Sequence, residues 1–192
     1  MIPPSISKLV NDSRSFFSDR GELARSFRVR LHRALNDIPF GRNRNVTCFV
    51  ALEVMCSKLA ADSIFDPRLD GLKQDLLAKS ISVLDDVGKV AFLNIDRYET
   101  YLNDLIASST NGDMRAAYCG FSIWSAARKI GTSSTIQDED ELHIEPTEWD
   151  ASFLASIALC GSATWENRPA DDKERERFWK WYLGTGLEKC WS

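Results

Sequence analysis

Leu23, Phe27, Leu31 and Leu35 stand four residues apart over the segment 22–36. That spacing puts all four on one face of an α-helix and excludes a half-buried strand, whose apolar residues would alternate. The same period recurs along the chain. Ile6, Leu9 and Val10 carry it near the start, and Leu69, Leu72, Leu76, Leu77, Ile81 and Leu84 carry it over 67–84. Tyr98, Tyr101, Leu102, Leu105 and Ile106 carry it again, and Phe153, Leu154 and Ile157 mark a helix ending near Leu159. The segment 46–61 is apolar around most of its circumference, which predicts a helix at the centre of the fold.

Punctuation falls between these segments. Pro39 and Gly41 end the second helix, and Asn45 is placed to cap the third. Asp66-Pro67 reads as a cap followed by a first-turn proline. Asp113 opens a helix to about Ile130, Gly161 stops the next, and Asp171-Asp172 begins the last. No β-type alternation persists. The expectation is an all-α, single-domain bundle of seven or eight helices spanning 1–192, within the usual domain size of about 100–200 residues.

Composition narrows the function classes. The 44% apolar and 27% charged residues are those of an ordinary globular chain. The apolar run 46–56 is about half a membrane span and contains Glu53. The N-terminus lacks a basic stretch followed by an apolar one, so a cytoplasmic protein with no membrane partner is expected. Five cysteines, at 48, 56, 119, 160 and 190, are odd in number and never spaced C-x-x-C. They read as reduced, mostly buried thiols.

Charge is unevenly spread. Asp138, Glu139, Asp140, Glu141, Glu145, Glu148 and Asp150 place seven acids in 138–150 without one Lys or Arg. Residues 1–44 hold nine basic residues against four acids. The stretch 132–146 is polar and weakly patterned, and reads as a long acidic surface loop. It is either solvated or suited to docking a basic partner. The N-terminal arginines 25, 28, 30 and 33 spread over more than half a helix circumference and read as solvated faces. With a pI near 5.3, they do not make a nucleic-acid footprint.

Motifs for chemistry are absent. No Walker or dinucleotide loop and no G-x-S-x-G occurs, and no cofactor is expected. Cys119 and Cys160 have no histidine nearby in sequence and read as core thiols rather than nucleophiles. His143 lies among carboxylates, but the spacing fits neither an EF-hand nor H-E-x-x-H, and no metal site is assigned. Glu53 is placed for partial burial, yet a lone buried acid is usually structural. An enzyme using Glu53, Glu166 or the His143 cluster would need those groups to converge in one pocket. A helical adaptor is the other alternative.

Five of six tryptophans (149, 165, 179, 181 and 191) fall in the last 44 residues. Phe178, Trp181 and Tyr182 form an i, i+3, i+4 face that Trp179 and Leu183 broaden, and Trp165 and Trp181 are expected to be buried.

Three segments together are diagnostic: Glu145-Pro-Thr-Glu-Trp149-Asp150-Ala-Ser-Phe153, Gly161-Ser-Ala-Thr-Trp165-Glu166, and Glu176-Arg-Phe178-Trp179-Lys-Trp181-Tyr182-Leu183. They resemble the C-terminal signature of a bacterial polymorphic-toxin immunity protein family, the fifth numbered one. Ser162 stands where that pattern favours a second glycine, and Cys190-Trp191 where it often has Ala-Trp. The resemblance covers roughly 145–191. It implies a helical, non-catalytic protein that neutralises a cognate toxin by binding it. It also implies that Trp149, Asp150, Trp165, Glu166, Phe178, Trp179, Trp181 and Tyr182 are fold-determining. The acidic residues Asp138, Glu139, Asp140, Glu141, Glu145 and Glu148 are then the candidate surface for a toxin with a basic active-site face.

Overall fold

The computed structural model describes residues 2–86, 93, 95–109, 113–130 and 148–191. Helices α1 (Pro4–Asn11) and α2 (Arg25–Asn36) are followed by a small hairpin of β1 (Pro39–Phe40) and β2 (Asn43–Thr47). Helix α3 (Cys48–Ser63) comes next. A continuous rod then runs through α4 (Asp70–Leu72), a π turn (Lys73–Leu77) and α5 (Ala78–Asp85). The remaining helices are α6 (Arg97–Ala107), α7 (Arg115–Arg128), α8 (Ala151–Cys160) and α9 (Asp172–Trp181). Helix α9 passes into a π turn (Tyr182–Gly186) and a final 3-10 turn (Lys189–Trp191). The fold is all-α, as the periodicity predicts, with one two-stranded ribbon added.

That ribbon was not expected. Its reason is Asn43, whose side chain is buried, donates to the carbonyl of Val83 at 2.8 Å and accepts from the Asn45 amide. The expected Asn45 cap is replaced by Thr47, whose hydroxyl accepts from the Val50 amide. The caps at Asp66 and Asp171 form as the sequence indicates.

Three helices make the centre. Every residue of α8 is buried, as are twelve in α7 and eleven in α3. Helices α7 and α8 run antiparallel. Arg115, at the start of α7, donates to the carbonyls of Ala158 and Leu159 at the end of α8. Ser122 and Ser125, further along α7, donate to the carbonyls of Ala151 and Trp149 at the start of α8. Ser57 of α3 meets both the hydroxyl and the carbonyl of Ser122, at 2.8 and 2.9 Å. These serines let the helices approach closely while the hydroxyls of Ser57, Ser122 and Ser125 each keep a partner, which avoids the cost of a lone buried polar group. Gly120 serves the same approach on the other side of α7. A Cβ there would stand 2.9 Å from Leu102 of α6.

Helix α8 ends at Gly161, whose φ of +107° is a left-handed conformation open to glycine at little cost. The returning chain places α9 against α8 and the N-terminal segment.

Candidate functional site

The N-terminus of α8 gathers most of the buried charge. Asp150 caps the helix, and its Oδ1 accepts from the Phe153 amide at 2.7 Å and the Ser152 hydroxyl at 2.9 Å. Its Oδ2 faces Arg28 Nε at 3.3 Å and Arg25 Nη1 at 3.6 Å, both from α2. Glu53 reaches the same helix end from α3. It accepts from the amides of Ala151 (2.6 Å) and Ser152 (3.2 Å) and from Lys129 Nζ (2.9 Å). Two carboxylates thus take the amide donors that a helix start leaves unpaired, where the helix dipole also favours negative charge.

Burial and charge act against each other here. Burial pushes the Asp150 carboxyl up, but Arg28 and the other nearby cations outweigh it and hold it well below the usual carboxylate range. His32 is sealed in beside Glu53, with Nε2 2.8 Å from the Tyr182 hydroxyl. Burial lowers its pKa to about 4, so the ring is neutral at pH 7. Arg28 also donates to the Leu23 carbonyl at 2.6 Å and lies over the rings of Phe153 and Trp179. It is fully buried, which corrects the expectation that the α2 arginines are all solvated. A sequence signal existed: Arg28 stands three and seven residues before Leu31 and Leu35, on the apolar stripe itself.

This cluster is built to hold helices together. Glu53 is inaccessible and both its oxygens are engaged, whereas a general acid or base must reach a substrate. Glu166 is held by different partners. Its Oε2 accepts from the Ala163 amide at 2.7 Å, and its Oε1 meets the Tyr118 hydroxyl and Arg168. Nothing described brings Glu53 and Glu166 into one pocket. Among the described residues, no three His, Cys, Asp or Glu side chains are grouped to hold a metal ion. No described helix is long and apolar enough to cross a membrane.

The aromatic residues divide. Trp149 is buried, edge-on to Phe153 at 5.4 Å. Trp165 stacks one face on Phe153 at 5.5 Å and turns an edge to Trp149, but it remains 37% exposed. Burial of Trp165 was expected, and this is a correction: it stands in the segment after α8 and packs on Phe153 and Trp149 while part of the ring stays open to solvent. Trp181 is likewise only partly buried. The buried face of α9 is Arg175, Phe178, Trp179 and Tyr182, a regular i, i+3, i+4, i+7 set that leaves Trp181 on the flank. All five cysteines are buried, as expected.

On the surface, a groove of about 1110 Å³ lies between the N-terminal segment and α9, lined in part by Arg14, Phe17, Arg20, Asp172, Lys180 and Leu183. Of the candidate partner-binding acids, Glu148 is described and exposed. Asp138, Glu139, Asp140, Glu141 and Glu145, with His143 and the whole stretch 132–146, lie outside the described residues. The described residues on either side of that stretch meet one another. Lys129 on one side and Ala151 on the other bond the same Glu53 oxygen, and the Ser125 hydroxyl bonds the Trp149 carbonyl.

Comparison with curated proteins finds no match. The family model described as Immunity protein Imm5 matches residues 15–189, which takes in every helix from α2 to α9. The likeness visible in 145–191 therefore extends over nearly the whole chain, and the chain belongs to the Imm5 immunity protein family.

Proposed function

We propose that this chain neutralises a cognate bacterial toxin by direct protein–protein binding, without chemistry of its own. It would block the toxin's active site or substrate access in the bacterial cytoplasm, as part of a polymorphic toxin system. The observation that carries this reading is the family match over residues 15–189. The sealed carboxylates support it, since Glu53 and Asp150 serve the helix start and are withheld from solvent.

The contact surface on this reading includes Asp138, Glu139, Asp140 and Glu141, with Glu145 and Glu148 beside them. The toxin's matching face is basic, as in an enzyme with a cationic substrate groove. Asp138, Glu139, Asp140, Glu141 and Glu145 stand close together in sequence with no Lys or Arg among them, a concentration of like charge that a cationic partner relieves. The partner is thus a protein, with no nucleic acid or membrane involved. Trp149, Trp165, Phe178, Trp179 and Tyr182 would act through the scaffold, holding the flanks of the acidic stretch in place.

The test is co-expression with the toxin encoded beside this chain's gene. The expected result is survival of the host, co-purification of the two proteins and inhibition of the purified toxin at equimolar ratio. Survival without co-purification, or turnover of the toxin's substrate or product by this chain, would reject inhibition by binding.

A further inference from the structure

Cys48 and Cys190 stand 142 positions apart in sequence and meet in the core. Cys48 is the first residue of α3, and Cys190 lies in the 3-10 turn Lys189–Trp191. Each sulfur contacts the other's carbonyl, Cys48 Sγ to Cys190 O at 3.7 Å and Cys190 Sγ to Cys48 O at 3.6 Å. The two thiols are close enough that each shifts the other's titration. Among the described residues no other cysteine pair is engaged in this way. Cys160 contacts the carbonyls of Ile157 and Ser162, and burial pushes the Cys119 thiol up to about 12.

The pair is also chemically uneven. Cys190 lowers the Cys48 pKa, while Cys190 is itself held far above the usual thiol range by Cys48 and by burial. Cys48 also sits at a helix N-terminus, which favours a thiolate. One partner is thus suited to attack and the other to resolve.

We propose that Cys48 and Cys190 are a redox-responsive disulfide site that, when oxidised by a small-molecule disulfide of the glutathione class, ties the C-terminal turn to the first turn of α3. The Cys48 thiolate attacks one sulfur of the oxidant, whose S–S bond breaks and releases one small thiolate. Cys190 gives up its proton and attacks Cys48 Sγ, which releases the second. The two protein thiols lose two electrons and two protons in all, and two small thiols carry them away. Both sulfurs are sealed, at 0% and 1% exposure, so the reaction waits on local opening of the single 3-10 turn that carries Cys190. The link closes a very long loop and restricts the unfolded chain, so the oxidised form should melt higher.

The experiment incubates the folded full-length protein with glutathione disulfide, blocks remaining thiols by alkylation, and maps the peptides by mass spectrometry. The expected product has lost two hydrogens, links Cys48 to Cys190, and leaves Cys56, Cys119 and Cys160 alkylated. Its Tm lies above that of the reduced protein and returns on adding reductant. In Cys190→Ser the reaction should stop at a glutathione adduct on Cys48. Recovery of both thiols alkylated after prolonged incubation of the folded wild type would overturn the proposal. So would a stable glutathione adduct in the wild type, or links scattered among all five cysteines.

Discussion

Helices α8 and α9 begin in the same way and live in different solvents. Each is capped by an aspartate, Asp150 for α8 and Asp171 for α9, and each start receives an arginine from the N-terminal segment, Arg28 to the Asp150 cap and Arg20 to Asp172, the first residue of α9. At α8 the side chains are 0% and 9% exposed; at α9 they are 38% and 44% exposed, with the ion pair at 3.2 Å. Water screens the second pair and offers each partner an alternative. The first pair has no such alternative, so each partner depends on the other. The same two residue types therefore fix the helix packing in one place and decorate a groove in the other.

Four substitutions or conditions should separate the two starts. The largest effect belongs to Asp150→Ala, which leaves Arg28 buried without its carboxylate and removes the α8 cap. Loss of one partner of a buried pair costs about 3–5 kcal/mol. Urea unfolding would read this as a fall in midpoint, and a loss below about 1 kcal/mol would break the contrast.

Acid should act on the α8 cluster next. His32 has its pKa lowered by burial to about 4 from 6.5, so the unfolded state takes up its proton first. Stability is full above about pH 6.5 and falls as pH drops toward 4, by roughly 3 kcal/mol for a shift of this size. Asp150, held below its ordinary 3.8, withdraws further stability only at still lower pH. A flat Tm between pH 7 and 4, or an unchanged profile in His32→Gln, would contradict this.

Glu53→Gln keeps the shape but loses the charge facing Lys129 and an acceptor for the α8 amides. The expected cost is about 2 kcal/mol, in the range for hydrogen bonds to charged groups. Thermal unfolding of the purified variant measures it. Arg20→Ala, at the α9 start, should cost less than about 1 kcal/mol. A cost equal to that of Asp150→Ala would show that exposure does not decide the worth of these pairs.

Periodicity carried most of the fold. The unbroken apolar surface of 46–56 placed α3 at the centre, and the Leu23 to Leu35 stripe placed α2. What periodicity could not rank was α8, because its many Ala and Ser residues look unremarkable until three helices close around them. Arg28 and Arg175 were hidden by the general rule that arginines are solvated, although both sit on apolar stripes and each is fully buried. Glu53 was singled out from its place on the helix wheel, yet its partners come from residues 32, 129, 151 and 152, and that convergence is a tertiary fact. Trp165 showed the opposite error: a large aromatic residue in a family-like motif suggests core, but its packing on Phe153 and Trp149 leaves it 37% exposed. The hairpin depended on the Asn43 side chain reaching Val83, a contact 40 positions away.

The central claim is a division of labour, with buried charges fixing helices and the acidic stretch meeting the toxin. The most direct test is the rate of association with the cognate toxin at two salt concentrations, for the wild type and for a variant carrying Asp138→Asn, Glu139→Gln, Asp140→Asn and Glu141→Gln. The quadruple variant should keep the wild-type Tm, associate about tenfold or more slowly at low salt, and show a flattened salt dependence, because steering by exposed charge is screened over about 10 Å at 0.1 M. Wild-type association rates with the same salt dependence would contradict that claim and place the interface elsewhere on the molecule.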